Sequence, residues 1–131
     1  MLDLPLESIH KNAFNAALAS HCARDQGKFW EMHQRLFENS RQLEPLSDHA
    51  AAIGLDVDAF NQCMTTRKYE AEVRKDMALA RKAGATGTPA FIIARTDPDD
   101  PTKVTGISFM KGAQPFNAFK QQIDKALASG P

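Results

Sequence analysis

Two cysteines are the residues of this sequence whose chemistry stands out first. Cys22 and Cys63 are the only cysteines among the 131 residues, and they lie 41 positions apart. They therefore form no Cys-x-x-C pair, which is the spacing of redox centres and many zinc sites. On the residues alone, two well-separated cysteines are typical of buried core thiols.

The second notable feature is the stretch "GATGTPAFII", residues 84–93, in which Thr88-Pro89 directly precedes an apolar run. Proline cannot donate a hydrogen bond to a sheet, so it is usually confined to strand starts and edges. Two interpretations follow from the residues. Thr88-Pro89 is either an ordinary strand-entry turn or a substrate-binding loop with a cis peptide bond.

Neither the histidines nor the clustered aspartates indicate a metal site. The four histidines, His10, His21, His33 and His49, lack the spaced cysteine or carboxylate partners of a zinc site. We expect His33 to be a core or boundary residue on an apolar helix face. The segment "TDPDDPT" lacks the glycine turn and distal glutamate of a calcium loop, so it predicts a solvated turn. We expect no metal and no cofactor.

The net charge and the distribution of apolar residues argue against two classes of partner, nucleic acids and membranes. Sixteen basic residues match sixteen acidic ones, giving a formal net charge of zero, which argues against a nucleic-acid or anionic-membrane surface. No stretch approaches the roughly 20 apolar residues of a membrane span. The N-terminal residues lack the basic and apolar regions of a signal peptide. We expect no nucleic-acid partner and no membrane insertion.

Hydrophobic periodicity and end signals predict the order of elements. Residues 2–6 predict the end of a strand, and a hairpin near the C-terminus is predicted from strands at 90–95 and 104–110. Five helices are predicted between them, at 11–25 capped by Asn12 or Ser8, at 28–39, at 48–53 capped by Ser47, after a cap at Asp56, and at 69–83. Gly54 and Gly84 are expected to end the third and fifth of these helices. A last helix follows Pro115.

The spacing of large apolar residues predicts which helix faces are buried. The faces of the first, fourth and fifth helices are expected to contain, in turn, Phe14, Leu18 and Cys22; Phe60, Cys63 and Met64; and Val73, Met77 and Ala80. In the second helix the core face is expected to contain Phe29, Trp30, His33, Leu36 and Phe37. In the last helix the apolar stripe comprises Phe116, Phe119, Ile123 and Leu127.

Four segments together resemble a known family: "QGKFWEMHQRLFEN", "AAIGLDVDAFNQC", "GATGTPAFII" and "GAQPFNAF", in this order. The chain resembles the DsbA-like thiol:disulfide oxidoreductases, whose thioredoxin fold contains an inserted helical domain. The resemblance implies an α/β fold class: an incomplete thioredoxin-like fold, made of a C-terminal β-hairpin plus helix, with a large inserted helical domain. It implies a single domain over 1–131, with the insertion at about 8–84 and the strand–strand–helix half at about 85–131.

The resemblance also implies roles for named residues. Thr88 and Pro89 would form a cis-proline loop that contacts protein or peptide thiol and disulfide substrates. Cys22 and Cys63 would form a non-catalytic disulfide across the helical domain, which requires an oxidising compartment and fits the periplasmic or extracytoplasmic location of the family. Family members carry their Cys-x-x-C ahead of these segments. Because this sequence has none, no catalytic residue is predicted and the chain alone is expected to be inactive.

Two hypotheses about function remain open. In the first, the chain is part of a protein-disulfide oxidoreductase whose nucleophile lies upstream of Met1. In the second, it is a non-catalytic module that binds peptides or subunits. A glutathione-linked relative with serine in place of the nucleophilic cysteine is a weaker third alternative. Since the missing strands would leave an open sheet edge, which invites pairing with another chain, we also predict a homodimer.

Overall fold

The computed structural model describes residues 1–128, which form six α-helices and two β-strands. Their bounds in chain order are α1 Ala13–Arg24, α2 Phe29–Glu38, α3 Leu46–Ala52, α4 Val57–Thr65, α5 Glu70–Lys82, β1 Ala90–Thr96, β2 Val104–Lys111 and α6 Phe116–Ala128. The chain divides into two compact units. The first, Met1–Ala83, contains α1 to α5, and the second begins at Gly84 and contains the strands and α6.

The helical unit is built around α1, which packs against α2, α4 and α5. Its largest fully buried side chains come from four helices: Leu18, Cys22, Met32, Phe60 and Val73. Burying a side chain of the size of Leu, Met or Phe stabilises a fold by about 1.5–3 kcal/mol. These positions recur at helical spacing, and the faces predicted for α1, α4 and α5 are the buried ones.

Helix ends follow the predicted signals in part. The Asp56 carboxylate accepts a hydrogen bond from the N–H of Ala59 at 3.0 Å, which caps α4 as predicted. Gly54 and Gly84 have positive φ angles where α3 and α5 end, a conformation that glycine adopts without steric cost. The predicted cap at Ser47 is wrong, because Ser47 lies inside α3, which begins at Leu46 with Pro45 at the N-cap position. Asn12 precedes α1, but its side chain makes no capping hydrogen bond.

The predicted core face of α2 is wrong for two of its aromatic residues. Trp30 is 65% exposed and Phe37 is 72% exposed, whereas Met32 and Leu36 are buried. The helix turns Met32 and Leu36 toward the interior, so the wider aromatic stripe reaches the surface. The predicted boundary residue His33 is half-buried.

The strand predicted at residues 2–6 is also absent. These residues have no regular secondary structure, and Leu4 packs against the helical cluster formed by Phe14, Leu18, Val73 and Met77. A strand needs a neighbour to pair with. Within residues 1–128, β1 and β2 pair only with each other.

The second unit is an antiparallel hairpin followed by a helix. The predicted hairpin is present, and its strands β1 and β2 pair from Ala90 opposite Lys111 to Thr96 opposite Val104. α6 packs on one face of the hairpin. There the Phe91 and Phe119 rings contact each other edge to face, with their centroids 4.8 Å apart. The stripe predicted for α6 is only partly covered, since Phe116 and Leu127 are exposed.

Candidate functional site

The Thr88-Pro89 segment connects the turn after α5 to the start of β1. Both residues are exposed, and the peptide bond between them is cis. The carbonyl oxygen of Pro89 accepts a hydrogen bond from the N–H of Gly112 at 2.8 Å, which joins the segment to the end of β2. Within the described part of the chain, neither the N–H nor the C=O of Thr88 is hydrogen-bonded.

The backbone of β1 presents alternate residues to its two sides. At one end the Pro89 oxygen is bonded toward β2, and at the other end the N–H of Asp97 donates to the Lys103 oxygen at 2.9 Å. Because strands alternate with a period of two, the odd-numbered residues between them also pair with β2. The backbone groups of the even-numbered residues therefore point away from β2, namely those of Ala90, Ile92, Ala94 and Thr96.

Thr88 has the same parity as this outward-facing row. Its N–H and C=O are also unpaired within the described residues, directly before the start of this row. We call this row, residues 88–96, the β1 edge. A row of this kind can bind an extended peptide as an added strand.

The outer edge of β2 is less regular. Ile93 pairs with Ser108, but the next residue, Ala94, pairs with Gly106, so β2 has an extra residue at Ile107. A bulge of this type increases the local twist and interrupts the row of backbone groups. Lys111 is the last residue of β2, and Lys103 directly precedes the strand. These features disfavour strand addition at β2.

The side chains of the hairpin separate into two faces. The face opposite α6 contains Ile92 and its cross-strand neighbour Phe109, and Val104 further along β2. Ile92 is 51% exposed and Val104 is 64% exposed. This apolar face is therefore open to solvent beside the β1 edge.

Cys22 on α1 and Cys63 on α4 are joined by a disulfide, with their Cα atoms 5.8 Å apart. Both residues are buried. The bond consumes both thiols of the sequence, so the chain has no free cysteine. A thiolate nucleophile is therefore absent from this form of the chain.

A charged cluster around His21 was not predicted. The His21 side chain is buried, with its Nε2 atom 2.5 Å from Asp3 Oδ2 and its Nδ1 atom 3.6 Å from Glu72 Oε1. These three residues are far apart in sequence, and no local pattern could have brought them together.

Two ion pairs extend this cluster across the surface of the helical unit. The Arg24 guanidinium donates two hydrogen bonds of 2.9 Å to Glu72, and this contact lowers the pKa of Glu72 below its ordinary value. Hydrogen bonds from Lys68 and from the Tyr69 hydroxyl lower the pKa of Asp25. Both arrangements connect α1 or its C-terminal end to the start of α5, which indicates a structural role.

Neither a metal centre nor a membrane span is found in the described region. Across residues 1–128, no group of three or more His, Cys, Asp or Glu side chains converges as metal ligands do. None of the helices in that range combines the length and the hydrophobicity needed to cross a bilayer.

The helical unit, the antiparallel hairpin and the final helix define a mixed α/β protein. The family model of the DSBA-like thioredoxin domain matches residues 1–124. The chain therefore belongs to this family, and the predicted fold class and family resemblance are confirmed.

Curated relatives come from longer proteins. Na(+)/H(+) antiporter NhaA 3 of Salinispora tropica is 35% identical over 92 residues, which cover 69% of this chain and 14% of the antiporter. Na(+)/H(+) antiporter NhaA 1 of Mycolicibacterium vanbaalenii is 47% identical over 93 residues, covering 68% of this chain and 15% of the antiporter. The chain thus matches about one seventh of the length of these relatives. No solved structure matches it significantly.

Proposed function

We propose that this chain is the substrate-contacting part of a thiol:disulfide oxidoreductase that acts on proteins or peptides. The observation that carries the proposal is the free backbone of Thr88 at the head of the β1 edge. Family membership supports it. Thr88 and Pro89 would hold an extended substrate by strand addition, beside the place where exchange occurs.

The chemistry itself requires a group that these residues do not supply. In disulfide exchange a thiolate attacks one sulfur of a disulfide, forms a mixed disulfide and releases the other sulfur as a thiolate. Cys22 and Cys63 are buried and bonded to each other. The nucleophilic Cys-x-x-C would therefore come from outside the 131 residues. A buried disulfide of this kind fits an oxidising, extracytoplasmic compartment.

Binding at the loop can be tested with the 131-residue chain and a short extended cysteine-containing peptide, monitored by amide NMR shifts. We expect shifts along residues 88–92. Pro89→Ala should weaken binding at least tenfold, because alanine lacks the fixed φ of proline and leaves the loop more conformations to lose. Pro101→Ala, in the exposed turn between the strands, is the matched control and should bind like wild type. Shifts confined to the helical unit would contradict the assignment.

The second candidate function is a binding module without redox chemistry, which holds a peptide or a partner subunit. The open apolar face around Ile92 and Phe109 favours it, since exposed apolar surface beside a free edge marks an interaction site. The antiporter relatives also support it, because this segment forms a small share of each longer protein. A domain of this size could therefore act while attached to a larger partner.

The two candidates differ in what the native polypeptide contains. Mass spectrometry of the protein isolated from its host would show whether a Cys-x-x-C accompanies residues 1–131, and insulin reduction would measure exchange. The oxidoreductase proposal expects the motif and an activity lost on Cys→Ser substitution within it, with the 131-residue chain at background. Absence of the motif, together with peptide binding at the β1 edge, would favour the module instead.

A further inference from the structure

His21 is a buried residue whose two ring nitrogens both face carboxylates. Its side chain is 6% exposed, with the Nε2 atom 2.5 Å from Asp3 Oδ2 and the Nδ1 atom 3.6 Å from Glu72 Oε1. An ionised carboxylate can only accept hydrogen bonds, and a neutral imidazole has a single N–H to donate. A protonated imidazole has two, so only the charged ring presents an N–H to both neighbours.

Aromatic rings cover the imidazole and keep water away from it. The Phe29 ring lies 5.8 Å from the His21 ring and the Tyr69 ring lies 5.5 Å away, measured between centroids. Charges in such a site are screened less than charges in water. A change in the charge of His21 is therefore felt strongly by the charged groups beside it.

The other charged groups around His21 come from three parts of the chain, and α2 adds two aromatic side chains to the same groove. They are the amino group of Met1 and the carboxylate of Asp3 in the N-terminal segment, Arg24 on α1, and Glu72, Lys75 and Asp76 on α5. Glu72 has a second cation, since it pairs with Arg24 at 2.9 Å. Within residues 1–128, the Asp3 carboxylate makes an ion pair with His21 alone. Asp3 therefore depends most on the charge of His21.

Asp3 helps to hold residues 1–6 on the helical unit. This segment has no regular secondary structure, so side-chain contacts fix its position. Besides the contact with His21, the N–H of Asp3 donates to Asp76 Oδ2 at 3.1 Å, and Leu4 packs against the cluster that contains Phe14. Losing the attraction between Asp3 and His21 would therefore weaken the packing of Leu4 beside it.

We propose that His21 is a pH-sensitive link between residues 1–6 and the helices α1 and α5. The protonated imidazole attracts Asp3 and draws the segment onto the two helices. When the imidazole is neutral, this attraction is lost and the carboxylates of Asp3, Glu72 and Asp76 repel one another, so the segment loosens. Because the charged imidazole supplies the attraction, the link is strongest at low pH and weakens as the pH rises through the range in which histidine loses its charge. The inference holds under either candidate function, since every contact lies within the helical unit.

The methyl signals of Leu4 report this link in an NMR titration of the 131-residue chain. The series runs from about pH 5 to about pH 9, which includes the range in which the charge of histidine ordinarily changes. We expect the Leu4 signals to move toward random-coil positions as the pH rises, together with the ring-proton signals of His21. The ratio of packed to loosened segment should fall about tenfold, because a hydrogen bond to a charged partner is stronger than one to a neutral partner.

Two variants identify the groups responsible. His21→Gln keeps a hydrogen-bond donor but cannot become charged, so the Leu4 transition should disappear. Asp3→Asn removes the carboxylate from the segment and should remove most of the transition. Because Asp3 lies outside the helices, this variant decides the question even if His21→Gln fails to fold.

His49→Gln is the matched control. His49 is also buried, but its Nε2 atom lies 2.9 Å from the carbonyl oxygen of Gln42, so the Leu4 transition should persist in this variant. A transition that persists in Asp3→Asn would overturn the inference, because another group, such as the amino group of Met1, would then cause it. A wild-type chain without any Leu4 transition would overturn it as well.

Discussion

At the scale of single residues, the two cysteines and Thr88 differ in burial and in bonding. Cys22 and Cys63 are buried and joined to each other, so their role is to stabilise the fold. Thr88 is exposed and its backbone is unpaired within the described region, so it is available to a ligand. The residues with the most reactive side-chain chemistry are therefore structural, and the candidate binding position uses mainly its backbone.

The disulfide should be a large contributor to stability. In the chain-entropy model, a bond that closes a loop of this length stabilises by about 3–4 kcal/mol. The double variant Cys22→Ala/Cys63→Ala should lose that amount in urea denaturation monitored by circular dichroism. Dithiothreitol should destabilise the wild-type chain and leave the variant unchanged. Equal stability of the two proteins without reductant would contradict the prediction.

At the scale of elements, a small polar network surrounds the start of α4. Asp56 caps α4 through Ala59, and its own N–H donates to the Gln26 side chain at 2.8 Å. Gln26 also donates to the Asp56 carbonyl at 3.1 Å. These bonds tie the start of α4 to the turn that follows α1, close in sequence to the disulfide that joins the same two helices.

Removing the cap should have a measurable cost. Asp56→Ala leaves the first N–H groups of α4 without their side-chain acceptor, so we expect the free energy of unfolding to fall by about 1 kcal/mol. Asp58→Ala removes an acidic residue from the first turn of the same helix but no cap, and should cost less. Chemical denaturation of both variants compares them. Equal losses would show that charge near the helix N-terminus, and not the cap, accounts for the effect.

At the scale of the whole molecule, the buried apolar side chains are unevenly distributed. Both hydrophobic clusters of the described residues lie in the unit Met1–Ala83. In the hairpin and α6, Met110 and Ala126 are the buried apolar residues. The first unit therefore contains most of the stabilising burial, while the second exposes apolar side chains from both strands and α6.

This difference predicts unequal local stability. Amide hydrogen exchange under native conditions should be slowest in α1 and α5 and faster in β1, β2 and α6, because regions with few buried apolar contacts open more readily. Measurement at a concentration that favours monomers isolates this effect, since edge pairing would protect β1. Protection of β1 and β2 equal to that of α1 in the monomer would contradict the prediction.

Much of this architecture could be predicted from the sequence. Helical spacing placed Val73 and Met77 in the core, and glycine marked the end of α5 at Gly84. Prediction failed where burial depends on a distant partner. Trp30 has helical spacing but lies on a face that no described element covers, and residues 2–6 have a strand-like composition but no strand beside them.

The sequence by itself determined the family, the order of the helices and hairpin and the position of the Thr88-Pro89 loop. These depend on local propensity, on the spacing of apolar residues and on short segments that resemble those of the family. Only the tertiary structure decided which residues meet. It placed His21 between Asp3 and Glu72 and left the Thr88 backbone unpaired, within the described residues, beside the outward row of β1. The physical reason is that such contacts depend on how packed elements are oriented, and local sequence does not specify that orientation.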